Sequence, residues 1–391
     1  MNEYKTPGVY VEDINTLPPS VAQVETSVPV FIGYTEKAIN TKGESIANTP
    51  VLVQSLSEYI QYFGQTASSN PDNYCLYDSV ELFYSNGGGK LYIISVGDYL
   101  SPVMLTTLSD ALTLSKKITV TLIAIPDAVN LASEQEFYSL QNQMLSVCAE
   151  LTDRFAVLDT RRPTGNIISD SDTFRNNITN DNLKWGAVYY PWLKLVSGKE
   201  VPPSGAICGI YAKVDSERGV WKAPANVAVN GIIALTVLVD SINADKLNID
   251  VNNGKSINTI RYFEGKGFLV WGARTLAGND NEWRYVSVRR FFIMIEQSVK
   301  QSTAWAVFEP NDSNTWVRIR GEIENYLFNL WRNGALQGAK TQEACYVRCG
   351  INETMTNLDI LEGRLIIEIG LAVVRPAEFI ILRFSHKVQV S

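Results

Sequence analysis

The chain has 391 residues, 46% hydrophobic and 19% charged, which is the composition of a globular protein of two or three domains and excludes a disordered one. Its 34 basic residues against 41 acidic ones give a net charge of −7, and the basic residues come at most in pairs such as Arg161-Arg162 and Arg289-Arg290. No nucleic-acid partner is expected, because such binding rests on neutralising phosphates with clustered Lys and Arg.

Residues 5–13 (KTPGVYVED) open the chain with the alternation of a strand around Val9, Tyr10 and Val11, behind Pro7-Gly8 and ahead of the break at 16–20 (TLPPS). So short a strand at a free end raises the question of what it pairs with. No secretory leader is expected, since the first residues carry Glu3 and Lys5 and lack an apolar core. Synthesis and assembly in the cytoplasm follow as the expectation.

Residues 28–34 (VPVFIGY), 91–96 (LYIISV), 120–125 (VTLIAI), 155–159 (FAVLD) and 187–192 (AVYYPW) read as buried strands, being short apolar runs with turn signals beyond them. Between 132 and 154, Phe137, Leu140, Met144, Val147 and Leu151 mark one face of a helix. Strand, helix and strand in this order predict a parallel α/β sheet with right-handed crossovers. The Asn-, Asp- and Ser-rich stretch 166–182 is expected to be a surface loop, and a boundary is expected at 197–205 (SGKEVPPSG).

Farther on, Val288, Phe291, Phe292, Ile295 and Val299 form the apolar stripe of a helix over 286–301. A second helix over 314–333 has Trp316, Ile319, Ile323, Tyr326, Leu327 and Leu330 on its stripe, and Gly334 suits its end. Its outer face offers Arg318 with Glu322 and Arg320 with Glu324, both at i,i+4. The chain closes with 365–374 (LIIEIGLAVV), Arg375-Pro376-Ala377, and a strand-like alternation over 378–390 (EFIILRFSHKVQV). No apolar run approaches the ~18 residues of a membrane span, so no direct membrane insertion is expected.

Candidate chemistry is sparse. Asn86-Gly87-Gly88-Gly89-Lys90 resembles a phosphate loop, but Leu91 stands where Ser or Thr is needed and the glycines lead into a strand, so a tight helix-to-strand turn is expected. His386 is the single histidine and sits near the C-terminus, with no GxSxG elbow elsewhere. The five cysteines, Cys75, Cys148, Cys208, Cys345 and Cys349, include no CxxC and are expected to be reduced and buried. No catalytic, cofactor-binding or metal-ligating residues emerge, and tryptophans are read as core rather than as a sugar platform. An α/β enzyme with an unrecognised active site stays as the second reading.

Several stretches together resemble the contractile tail sheath proteins of phages and phage-like injection particles: Tyr4 to Glu12 (YKTPGVYVE), Phe83 to Gly88 (FYSNGG), Ser204-Gly205-Ala206 running to Gly219 to Asn226 (GVWKAPAN), Trp271 to Leu276 (WGARTL), 285–292 (YVSVRRFF), Phe308 to Asp312 (FEPND), Met355-Thr356 with Gly363-Arg364-Leu365, and Pro376 to Ile380 (PAEFI). The part least like the family is 101–195. The resemblance implies an α/β (α+β) subunit of two domains, a middle α/β domain over 28–200 and a C-terminal α/β core domain over 201–375. Extended β-arms would occupy 1–27 and 376–391.

In that family the arms add strands to the sheets of neighbouring subunits, so the resemblance assigns Val9, Tyr10, Val11, Phe384, His386, Val388 and Val390 to inter-subunit pairing, with hinges at Pro18-Pro19 and Arg375-Pro376. It also implies a lumen-facing helix in the C-terminal domain, for which 314–333 with Arg318, Arg320, Glu322 and Glu324 turned outward is the candidate. The implied partners are further copies of the chain, paralogous sheath subunits, an inner tube protein, and baseplate and terminator or cap proteins. No cofactor is implied. The modest length, without a large extra outer domain, leans toward a headless injection particle.

Overall fold

The computed structural model describes residues 21–66 and 73–381, which fall into two compact units. The larger unit holds 24–297 with 373–381, and the smaller holds 21–23 with 298–372.

The strands of the larger unit are β1 (Pro29–Thr35), β2 (Val51–Val53), β3 (Leu91–Asp98), β4 (Leu122–Ala124), β5 (Phe155–Asp159), β6 (Gly186–Tyr190), β7 (Leu193–Leu195), β8 (Glu200–Val201), β9 (Val227–Ala228), β10 (Ile232–Leu235), β11 (Asn258–Phe263) and β12 (Gly267–Trp271). Its helices are α1 (Leu56–Phe63), α2 (Leu76–Ser85), α3 (Leu105–Ser115), α4 (Glu134–Leu151), α5 (Ile167–Asn177), α6 (Ser204–Arg218), α7 (Ser241–Asn248) and most of α8 (Val286–Ser302). Nine strands form one sheet in the order β2-β3-β1-β4-β5-β6-β11-β12-β9, and β10, β7 and β8 make a small antiparallel sheet.

The parallel centre follows from residue type. β1 and β5 are buried along their whole length, which an apolar run covered by helices on both faces requires. β4-α4-β5 and β5-α5-β6 are successive crossover units joining neighbouring parallel strands. Ser133 starts α4 with a capping box, its hydroxyl accepting from the Glu136 amide while the Glu136 carboxylate takes the Ser133 amide. The glycines after α2 do form the turn into β3, with Gly87 at φ 95°.

Two expectations change. Residues 166–182 are not a loop throughout, because α5 lies within them: the Asn166 side chain caps it by accepting from the Ser169 amide, and Phe174 is fully buried beneath it. Its polar residues supply the cap and the outer face, so composition hid the helix. Nor does the fold divide at 197–205. That stretch turns from β7 to β8 and into α6, while the main sheet continues past it, since β11 pairs in parallel with β6. The chain leaves the larger unit within α8 and returns to it after Ala372.

The smaller unit contains α9 (Ser313–Arg332), α10 (Thr341–Ala344), β13 (Cys345–Arg348), α11 (Asn357–Leu361) and β14 (Glu368–Leu371). The Asp312 carboxylate caps α9 through the amides of Asn314 and Thr315, and Ile319, Ile323, Tyr326, Leu327 and Leu330 form its buried stripe. Among the described residues no helix is long and apolar enough to cross a membrane.

Candidate assembly surfaces

In the smaller unit β13 and β14 pair antiparallel, Cys345 opposite Leu371 and Arg348 opposite Glu368. Among the described residues they form a ribbon of two strands only, so each keeps an outer edge with no ladder partner. The pairing is held by side chains: the Tyr346 ring covers Gly370, where any Cβ would collide with it, and its hydroxyl donates to Glu368 at 2.7 Å. Arg348 stacks on the same ring at 4.7 Å. Val347 is buried, whereas Tyr346 is 45% exposed. Beside the ribbon lies a groove of about 460 Å³ lined by residues that include Gly321, Glu324, Phe328, Gln342, Tyr346 and Val347.

The charged face of α9 differs from its expected form. Arg320 and Glu324 are 37% and 55% exposed and stand 3.9 Å apart, as an outward pair would. Glu322 is 1% exposed. It points inward because the Trp305 indole donates to it at 3.1 Å and Arg318 Nε at 3.3 Å, while the Arg318 guanidinium lies 3.8 Å over the Trp305 ring. Glu322 therefore leaves the outward set, and Arg318 is half committed to this cluster.

Val9, Tyr10, Val11, Phe384, His386, Val388 and Val390 lie outside the described residues, as does the Pro18-Pro19 hinge. The described parts of both expected arms are fastened to the chain's own body. In the larger unit Thr26 donates its hydroxyl to Asp215 at 2.6 Å, and the buried Arg290 binds Asp215 at 2.5 Å and the Thr26 carbonyl at 2.8 Å. In the smaller unit the Ala22 amide donates to Ser302 at 3.0 Å. At the other end Glu378 receives Arg274 through both carboxylate oxygens, at 2.9 and 2.5 Å, and Arg375 donates to the Asn281 carbonyl at 2.8 Å. The Arg375-Pro376 step is thus flanked by two attachments, one at Arg375 and one at Glu378.

Two family models match the chain: the phage tail sheath protein central domain over residues 111–276 and the phage tail sheath C-terminal domain over 278–387. The chain is similar over its whole length to the sheath of PVC, an extracellular contractile injection system, solved in the contracted state: 34% identity, 99% of each chain covered, TM-score 0.76. The helical sheath of the anti-feeding prophage, also contracted, is 32% identical over 98% of this chain and all of that one, with TM-score 0.76. This chain belongs to the contractile tail sheath family. The tail sheath protein of Vibrio phage KVP40 is 24% identical over 268 residues, 63% of this chain but 39% of the relative, and that of Escherichia phage P2 is 25% identical over 45% of this chain and 42% of the relative. The chain thus spans about two fifths of the length of these phage sheaths.

The stretch 101–195, read as least like the family, lies largely inside the matched central domain. What sequence reading missed in this sheath chain are its buried arginines. Arg289 stacks on Trp185 at 4.4 Å and Trp283 at 4.6 Å and pairs with Glu296, and Arg290 lies 4.6 Å over Tyr211. Both were noted only as an adjacent basic pair, although their place within the apolar stripe of 285–292 was the available signal for burial.

Two acids are equally internal. Asp127, fully buried, accepts the amides of Tyr34 and Cys75, and burial still lifts its carboxyl to about 6. Asp159 is lifted to about 7 by the same cause, against the opposing hydrogen bond from the Ser204 amide. Four cysteines are buried and Cys345 is half-buried, all of them free, and burial raises the thiols, which keeps them unreactive. Among the described residues no group of His, Cys, Asp and Glu is placed to hold a metal ion.

Proposed function

We propose that this chain is the repeating mechanical subunit of a contractile particle rather than an enzyme: many copies polymerise around an inner tube in an extended state and contract to drive that tube through a target envelope. The observation that carries this reading is the β13–β14 ribbon, whose two outer edges are unpaired among the described residues, in a chain similar end to end to sheaths solved in the contracted state.

Strands from neighbouring copies fit those edges. Residues around Val9, Tyr10 and Val11 and around Phe384, His386, Val388 and Val390 have the alternation such added strands need. Each backbone hydrogen bond contributes ~0.5–1.5 kcal/mol net, so one added strand contributes a few kcal/mol, repeated at every subunit. The contraction energy is then stored in assembly and released by better subunit packing, with no nucleotide consumed. Arg320 and Glu324, with the exposed part of Arg318, supply a weak polar face of the kind a sheath needs toward a tube that it must release.

The partners are further copies, paralogous sheath subunits, the tube protein, the baseplate and a terminator or cap protein, assembled in the cytoplasm before the particle is released. Higher identity to injection-system sheaths than to phage sheaths favours a headless particle. Negative-stain microscopy of the purified chain tests the reading. Rods or tubes of very high mass are expected, and a small, defined oligomer at all concentrations would refute it.

A further inference from the structure

Arg274 and Glu378 are 104 residues apart, each inside one of the two short family-like stretches 271–276 and 376–380. Arg274 is 3% exposed and Glu378 18%, so the pair is largely withdrawn from water and holds two parallel charge-assisted hydrogen bonds. Tyr285, which bridges Arg274 through the backbone, adds its hydroxyl to the same carboxylate at 3.3 Å.

Behind Arg274 the contacts continue inward. Its amide donates to the Asn258 side chain at 2.7 Å, and the Asn258 amide group donates back to the Arg274 carbonyl at 2.7 Å and to the carbonyl of Val188 in β6 at 3.2 Å. A continuous hydrogen-bonded path therefore runs from Glu378 to the middle of the nine-stranded sheet. Just beyond Glu378 the chain changes character: Phe379, Ile380 and Ile381 are 65%, 80% and 76% exposed.

We propose that Arg274, steadied by Tyr285 and Asn258, is the root latch of the C-terminal arm: it fixes Glu378 so that the arm departs only beyond that residue and tension drawn along it is taken up by the central sheet of the larger unit. This rests on the sheath reading, in which a neighbouring copy holds the far end of the arm. Arg274 and Glu378 are positioning residues here. A latch of this kind lets an inter-subunit strand be pulled during contraction without peeling residues 373–378 off their own subunit, because two parallel bonds at one site must break together.

The test uses the full chain. In hydrogen exchange of the unassembled protein, Glu378→Gln should speed exchange over 373–381 by about tenfold or more, the loss of one charge-assisted contact, while β5 and β6 keep their rates. Should the orphaned guanidinium unfold that variant, Arg274→Met/Glu378→Gln removes the pair without leaving a buried charge. Arg274→Lys, which keeps the charge but loses the fork, should fall between. In assembly, the released variants should give at least about fivefold fewer intact rods after shear. Unchanged exchange over 373–381, or faster exchange with rods as numerous and shear-resistant as wild type, overturns the latch. A wild-type chain that forms no rods instead sinks the sheath reading, and the exchange result still judges the latch on its own.

Discussion

Asp159 ends β5 as a fully buried carboxyl that accepts the Ser204 amide at 2.9 Å. Burial raises it to about 7, whereas in the unfolded chain it titrates near its ordinary 3.8. Between those values the folded state holds the proton and the unfolded state does not, so the contribution of this group to stability is complete below about pH 4 and is lost as pH rises to about 7. Melting temperatures across that window should fall more steeply for wild type than for Asp159→Asn, and equal slopes would show that Asp159 is already ionised in the fold. Glu322 gives a different expectation. Because it is the buried acceptor for Trp305 and Arg318, Glu322→Ala should cost the smaller unit ~1–3 kcal/mol in denaturant unfolding, the usual loss when a buried donor is left unmatched. A change below ~0.5 kcal/mol would mean that the cluster is loose and solvated.

At the scale of elements, α9 separates two roles along one helix. Its stripe, from Ile319 to Leu330, packs the smaller unit, and its exposed side keeps Arg320 and Glu324 as a weak pair of the kind that contributes ~0–1 kcal/mol. Reversal of Arg320 to Glu should accordingly leave stability within ~0.5 kcal/mol and still lower the yield of extended, tube-filled particles, with tube-free contracted polymers unaffected. Normal yields of filled particles would take this face off the tube interface. The β13–β14 ribbon has a comparable division. Tyr346 against Gly370 locks its pairing, while the outer edges carry no ladder partner among the described residues, and a ribbon this short gains independent stability only by being extended or covered.

At the scale of the whole molecule, the larger unit brings its own nine-stranded sheet and a continuous core, to which Thr26 and Glu378 are hydrogen-bonded and which needs no residue after 381 for its described contacts. Deleting residues 384–391 should therefore leave thermal unfolding of the chain nearly unchanged while abolishing polymerisation. Sedimentation and calorimetry on the same sample check both halves. Rods formed normally by the truncated chain would show that these residues are not an inter-subunit joint.

Local pattern by itself determined the central elements. Continuous apolar runs placed β1, β3, β5 and β6, and three-and-four spacing placed α4, α8 and α9 to within a few residues, because burial on both faces or on one stripe writes its period directly into the sequence. The spaced motifs were enough to point to the sheath family. Tertiary structure alone decided the rest. Residues 166–182 read as a loop because a short helix with a polar outer face carries little periodicity, and α5 exists through the Asn166 cap and the burial of Phe174. The break at 197–205 looked like a domain boundary because Gly and Pro mark a turn equally well inside a domain, and only the pairing of β11 with β6 decides between them. Glu322 looked like an outward partner because i,i+4 spacing fixes which residues are neighbours on a helix but not which side is covered. Arg274 and Glu378 meet across 104 residues, a separation at which no local pattern constrains distance and only the packed fold does.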